Sequence, residues 1–182
     1  MEIITERLVL REFVESDWES VLAYQREPMY LRYYAWTDRS QEEVEEFISW
    51  FITAQHDLPR RRYQLAIIEK ETGKLVGNCG LRLSDPPLNE GDIGYEIGEA
   101  YWRRGYATEA TREMLRLGFE SLSLHRVWAT CVAENIGSAR VLEKLGMRQE
   151  GILVERDFYK GKWWDHRLFA ILEREWNEQS RR

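Results

Sequence analysis

The 182-residue sequence has few of the features that would settle its class at once. It has only two cysteines, Cys79 and Cys131, so no disulfide framework carries the fold. Both sit in strand-like runs, and the expectation is two reduced, buried thiols. The three histidines, His56, His125 and His166, show no ligand spacing among themselves or with the cysteines, so no metal site is expected. No apolar run approaches the ~20 residues of a membrane span. The opening "MEIITERLVLREF" has acids where a secretory signal needs a basic flank and a long apolar stretch. A cytoplasmic protein with no membrane partner is expected. Neither G-x-x-x-x-G-K-[ST] nor G-x-G-x-x-G occurs, which removes the nucleotide P-loop and the dinucleotide fingerprint.

Apolar residues make up 43% of the chain, enough for a globular core in a single domain over residues 1–182. The net charge is −6, and it is unevenly spread: residues 1 to 58 hold 13 acids against five arginines. An acidic first third and a near-neutral remainder argue against a nucleic-acid partner, which would need a basic face. The same excess permits a cationic ligand near the N-terminal part, or is simply a solvated helix face.

"ITERLVLREF" alternates apolar and polar residues as a strand does. "ESDWESVLAYQ" reads as a short helix with Ser16 or Asp17 as N-cap, closed by Pro28. In "RSQEEVEEFISWFITAQH" the residues Val44, Phe47, Ile48, Phe51 and Ile52 share one helical face. "YQLAIIE" and "LVGNCGLRL" form a hairpin about "KETGK". "SDPPLNEGD" is a loop, and "DIGYEIGEA" is a strand whose Gly94 and Gly98 suggest a bulge or a close backbone approach. A helix then runs to about residue 121, and "HRVWATCVA" is a strand. "ENIGSARVLEKLGM" is a short helix capped by Asn135 and stopped by Gly146. A last hairpin turns at Lys160-Gly161-Lys162, and "EREWNEQSRR" is a polar tail. The order predicts one mixed α/β layered structure.

The chemistry gathers at "YWRRGYATEA", residues 101 to 110. The first N–H groups of a helix lack intrahelical partners and, with the helix dipole, form an anion site. Gly105 allows a turn that points consecutive N–H groups at one place, Ala107 stays small, and Arg103 and Arg104 add charge. A phosphate or pyrophosphate is the expected guest, although a plain strand-to-helix turn with surface arginines has the same spacing.

Taken with "TERLVLREF", "GYEIGEAYWRRGYATEA", "ENIGSARVLEKLGMRQEG" and "GKWWDHRLFAIL", this stretch resembles the GCN5-related N-acetyltransferases (GNAT), most of all the branch of RimJ/RimL-like ribosomal-protein N-terminal acetyltransferases. Trp102 stands where the family's phosphate loop often has Gln or Arg. The resemblance implies an α/β (α+β) fold with a mixed central sheet of six to seven strands, about four flanking helices and a splayed cofactor strand. It implies acetyl-CoA as donor and a primary amine as acceptor, possible examples being the N-terminus of a ribosomal protein or a small polyamine, aminoglycoside or amino-acid-like toxin. The loop Arg103, Arg104, Gly105, Tyr106, Ala107 and Thr108 would hold pyrophosphate, and Ile97, Gly98 and Asn135 the pantetheine arm. Glu96 would act as general base, with Glu155 and Asp157 as rivals, and Ser138 would protonate the leaving thiolate. Tyr33, Tyr34 and Trp36, with Tyr30, would line the acceptor pocket, though aromatics pack a core as readily. A non-catalytic CoA-binding sensor is the reading from another class. Monomer and homodimer both stay open.

Overall fold

A computed structural model describes residues 1–86 and 88–179. Pro87, in the two-proline loop, and the last three residues of the polar tail lie outside the described residues. Eight strands form one sheet: β1 (Glu2–Ile4), β2 (Leu8–Glu12), β3 (Arg62–Glu69), β4 (Leu75–Leu83), β5 (Glu90–Ile97), β6 (Arg126–Val132), β7 (Arg148–Tyr159) and β8 (Lys162–Leu172). Their spatial order is β1-β2-β3-β4-β5-β6-β8-β7. The helices are α1 (Trp18–Gln25), α2 (Pro28–Leu31), α3 (Gln41–Ala54), α4 (Tyr106–Arg116), α5 (Ile136–Lys144) and α6 (Glu173–Gln179).

Helices cover both faces of the sheet, which is why β3 is almost wholly buried rather than alternating. Its Leu65 and Ile67 join a core with Leu8, Leu10, Met114 and Leu142 under α4 and α5. Ala66 points the other way, into a second core with Phe13, Val21, Val44, Ile48 and Phe51 under α1 and α3. The apolar face expected for α3 is the buried one, and a capping box between Ser40 and Glu43 starts it.

The structure departs from the sequence expectations at four places. The first expected strand is two, β1 and β2, folded back so that Glu2 opposes Arg11. Asp17 stands at the N-cap position of α1, but its side chain accepts no N–H of that helix; it forms two hydrogen bonds with Arg11, at 2.7 and 2.8 Å, and accepts the Val14 N–H. Pro28 opens α2 at its first turn, where a missing N–H costs nothing. The polar tail carries α6, because Trp176 is buried and stacks on Phe119 at 5.8 Å. With β1 and β2 separate, the sheet has eight strands rather than six or seven.

The feature that positions the site is the junction of β5 and β6. They are parallel and pair only from Glu90 and Arg126 to Asp92 and Trp128. Beyond Asp92 the two strands part, and β5 continues to Ile97 bonded to β4 alone. No bulge marks Gly94 or Gly98: the β4–β5 register runs unbroken from Gly77 opposite Ile97 to Leu83 opposite Gly91. The close approach does occur, a Cβ at Gly94 standing 3.2 Å from Arg82 and one at Gly98 3.2 Å from Tyr24, and it is tighter still at Gly77, where a Cβ would stand 2.0 Å from the Glu96 carbonyl oxygen.

Candidate active site

Where β5 and β6 part, they leave a cavity of about 370 Å³. Glu96, Asn135, Ser138, Tyr33 and Tyr34 line it, so residues from three separate stretches of sequence meet there. Tyr95, Cys131 and His166 join them, and sequence reasoning had given none of these three a place in the site. A larger hollow of about 500 Å³ lies between α1 and the β3–β4 turn; it takes in Gly98 and Tyr101 but neither Glu96 nor Ser138.

Glu96 is held in a cage of donors. Its Oε1 accepts from the hydroxyls of Tyr30 at 2.9 Å and Tyr34 at 3.1 Å. Its Oε2 accepts from Tyr24 at 3.1 Å, Gln25 Nε2 at 3.1 Å and Asn78 Nδ2 at 2.8 Å. A carboxylate has about four lone-pair sites, and five donors occupy them. Burial, then the adjacent Glu96 charge, pushes the phenols of Tyr24, Tyr30 and Tyr34 upward, so all three remain protonated donors. Gln64 supports the cage from behind by donating to Asn78 Oδ1 at 2.6 Å. Trp36 stands one ring back from the cavity, stacked on Tyr34 at 4.7 Å with the Arg39 guanidinium 4.8 Å from its ring centre.

On the opposite wall Asn135 caps α5, its Oδ1 accepting the Ser138 N–H at 3.1 Å. This bond fixes the first turn and does not use the Ser138 hydroxyl. The Tyr95 hydroxyl lies 2.9 Å from both the carbonyl and the Oγ of Ser138. Burial pushes the Tyr95 phenol up. Cys79 and Cys131 are buried free thiols, and burial raises both. Cys131 lines the cavity wall but as a neutral thiol, a poor nucleophile.

The loop before α4 has the conformation that the glycine implied. Gly105 is left-handed at φ 85°, Arg103 lies at φ 61°, and no side chain caps the helix. The first-turn N–H groups therefore face outward together. Trp102 donates its indole N–H to the Ile97 carbonyl at 2.7 Å, tying the loop to the end of β5. Arg104 leans back instead, pairing with Glu69 at 3.3 Å. Arg7 forms a clamp that the sequence did not reveal. It donates to the Arg104 carbonyl at 2.8 Å and to Glu109 Oε2 at 2.8 Å, while its backbone N–H bonds Glu109 Oε1 at 2.9 Å. Thr5 also donates to Glu109, at 2.6 Å. "TER" thus supports the loop before α4 from 97 residues away, a distance no local pattern spans.

The acidic N-terminal excess does not reach the cavity. Glu43 is spent on its capping box and Glu45 bonds Gln41 at 2.7 Å, both on the outer face of α3. Glu96 is the one carboxylate lining the cavity among the described residues. Glu155 is exposed, its N–H bonded to Asp165 at 2.7 Å, whereas Asp157 lies 3.0 Å from His166 Nε2.

A parted parallel strand pair beside an uncapped, glycine-turned helix start defines a class of protein that takes a long, phosphate-bearing donor between strands. Residues 7–148 match the family model "Acetyltransferase (GNAT) domain". The chain is 33% identical to the uncharacterized N-acetyltransferase YnaD of Bacillus subtilis, over 97% of this chain and 100% of that one. It is 32% identical to a solved acetyltransferase (GNAT family) from Bacillus anthracis, with a TM-score of 0.83 over 96% of this chain and 99% of that one. Over a shorter stretch, 46% of this chain and 43% of the other, it is 30% identical to the [ribosomal protein uS5]-alanine N-acetyltransferase of Escherichia coli. The chain belongs to the GNAT acetyltransferase family and is an N-acetyltransferase; the family's donor is acetyl-CoA.

Proposed function

We propose that this chain, as a single domain over residues 1–182, moves acetyl from acetyl-CoA directly to a protein N-terminal α-amine in the cytoplasm. The observation that carries the acceptor class is the cavity's inventory of charge. One carboxylate, Glu96, lines it among the described residues, with one guanidinium, Arg82, which is paired with Asp92; that suits one ammonium better than the several of a polyamine or aminoglycoside. The partial likeness to a uS5-alanine acetyltransferase points the same way. Chemistry agrees: at pH 7 an α-amine with pKa near 8 costs about 1.4 kcal/mol to deprotonate, a lysine about 4.6.

In this reading the amides of residues 103 to 108 cradle the pyrophosphate, and Ile97, Gly98 and Asn135 flank the pantetheine arm. The free edge of β5 past Asp92 offers backbone groups that an added strand would take, and pantetheine amides can use them. An amide near Ile97 polarises the thioester carbonyl. Glu96 attracts and orients the acceptor ammonium. With its lone pairs occupied, it serves as a fixed charge rather than as the base. Tyr33 and Tyr34 shape the acceptor side. Ser138, relayed by Tyr95, gives a proton to the departing sulfur.

An acetyl-CoA turnover assay reading free thiol tests this on Ala- and Ser-starting peptides, spermine and an aminoglycoside. Peptide preference supports the proposal. Preference for a polycation transfers the acceptor assignment to small amines. CoA binding without turnover on any of them leaves a sensor.

A further inference from the structure

The ammonium proton of the acceptor needs a destination, and the lone pairs of Glu96 are taken. His166, on β8, lines the same cavity. Its side chain is 13% exposed, and both ring nitrogens are buried without a hydrogen-bond partner among the described residues. Asp157 Oδ2 lies 3.0 Å from Nε2, off the line of a hydrogen bond. A negative charge thus sits beside the ring without occupying a nitrogen.

The register of the last hairpin explains how Asp157 gets there. Leu153 opposes His166, and an undistorted antiparallel ladder would then set Glu155 opposite Trp164. The irregularity between Leu153 and Asp157 sets Asp157 there instead, with Glu155 turned to φ 48°. Residues 164 and 166 share a face, so the bulge delivers Asp157, not Glu155, to the side of His166.

We propose that His166 is the catalytic proton acceptor, taking one proton from the acceptor ammonium, with Asp157 as a positioning residue that steadies the imidazolium. This rests on the transfer reading above. The freed nitrogen pair forms the C–N bond to the thioester carbon, and the C–S bond breaks with its electron pair going to sulfur. The second proton lost from nitrogen passes through the Tyr95 hydroxyl to Ser138, replacing the one that Ser138 gives to sulfur, and His166 returns its proton to water. Burial lowers the His166 pKa, against Asp157 and Asp165, which raise it, and with Arg156, which lowers it further. Across the cavity the other titratable groups are Glu96, Arg82, Tyr33, Tyr34, Tyr95 and Cys131. The ring is neutral near pH 7 and ready to accept.

The test compares wild type, His166→Gln, His166→Asn and Asp157→Asn. The acceptors are an Ala-starting peptide, or spermine if that is inert, and trifluoroethylamine, which is already neutral at pH 7. Melting temperature and CoA affinity by calorimetry select the variants that fold and bind donor. In wild type, kcat/KM falls at acid pH with an apparent pKa below the ordinary ~6.5 of histidine. Both His166 variants should lose that limb and about 100-fold in peptide turnover, yet change much less with trifluoroethylamine. Asp157→Asn should move the limb to lower pH, since it removes a charge that raises the ring's pKa. Wild-type profiles in folded, CoA-binding His166 variants, or equal losses with both amines, overturn the proposal and leave the transfer reading standing. No turnover by wild type with any amine sinks both.

Discussion

Ser138 carries two separable duties. Its N–H belongs to the Asn135 cap, and its hydroxyl faces Tyr95 and the cavity. Ser138→Ala therefore keeps the helix start and should lower kcat by about 100-fold with little change in either KM, the signature of a lost proton donor. Steady-state kinetics decides it; an unchanged kcat removes Ser138 from the chemistry. Glu96→Gln behaves differently. An amide turns one acceptor oxygen into a donor facing donors, so folding should lose about 1–3 kcal/mol and acceptor KM should rise more than that of acetyl-CoA. Urea unfolding and kinetics together test this. At this scale Asn135 and Ser138 were readable from the sequence, because a cap is local. The Glu96 cage was not: its donors come from residues 24, 25, 30, 34 and 78, on α1, α2, the turn after α2 and β4.

Among the elements, α4 and the loop before it do not stand alone. Arg7, at the mouth of β2, bonds both the loop and the first turn of the helix. Arg7→Ala should raise the KM for acetyl-CoA about tenfold, roughly the worth of one charge-assisted hydrogen bond, while kcat moves little. A fall in kcat with unchanged KM would refute a loop-positioning role. Burial works against the Glu109 charge, but bonds from Thr5 and Arg7 override it and hold this carboxyl below its ordinary range. Its contribution to stability is therefore present above the unfolded value near ~4.3 and is lost as pH falls through the folded one. The melting-temperature gap between wild type and Arg7→Ala should shrink over that acid range. The turn before α4 was legible from Gly105. The clamp was not, since nothing near Arg7 in sequence hints at what it meets.

Across the whole molecule, the parting of β5 and β6 leaves backbone edges that only a bound donor covers. CoA should bind the folded chain alone, so at a hundredfold excess over Kd it adds about 2.7 kcal/mol. For a chain of this size that is a rise of roughly 5–10 °C in Tm. Differential scanning calorimetry with and without CoA measures it, and no shift would contradict the donor assignment. The α3 face, the Asn135 cap and the Gly105 turn were determined by sequence, because each rests on residues within a turn or two of one another, and the family resemblance was legible because its motifs are short strings strung along the chain. Tertiary structure alone decided the rest: which hydroxyls surround Glu96, that Arg7 holds the anion loop, that a bulge sets Asp157 beside His166, and that the acidic helix faces away from the cavity. Those depend on strand register and on which face each helix presents, and such long-range geometry leaves no local periodicity to read.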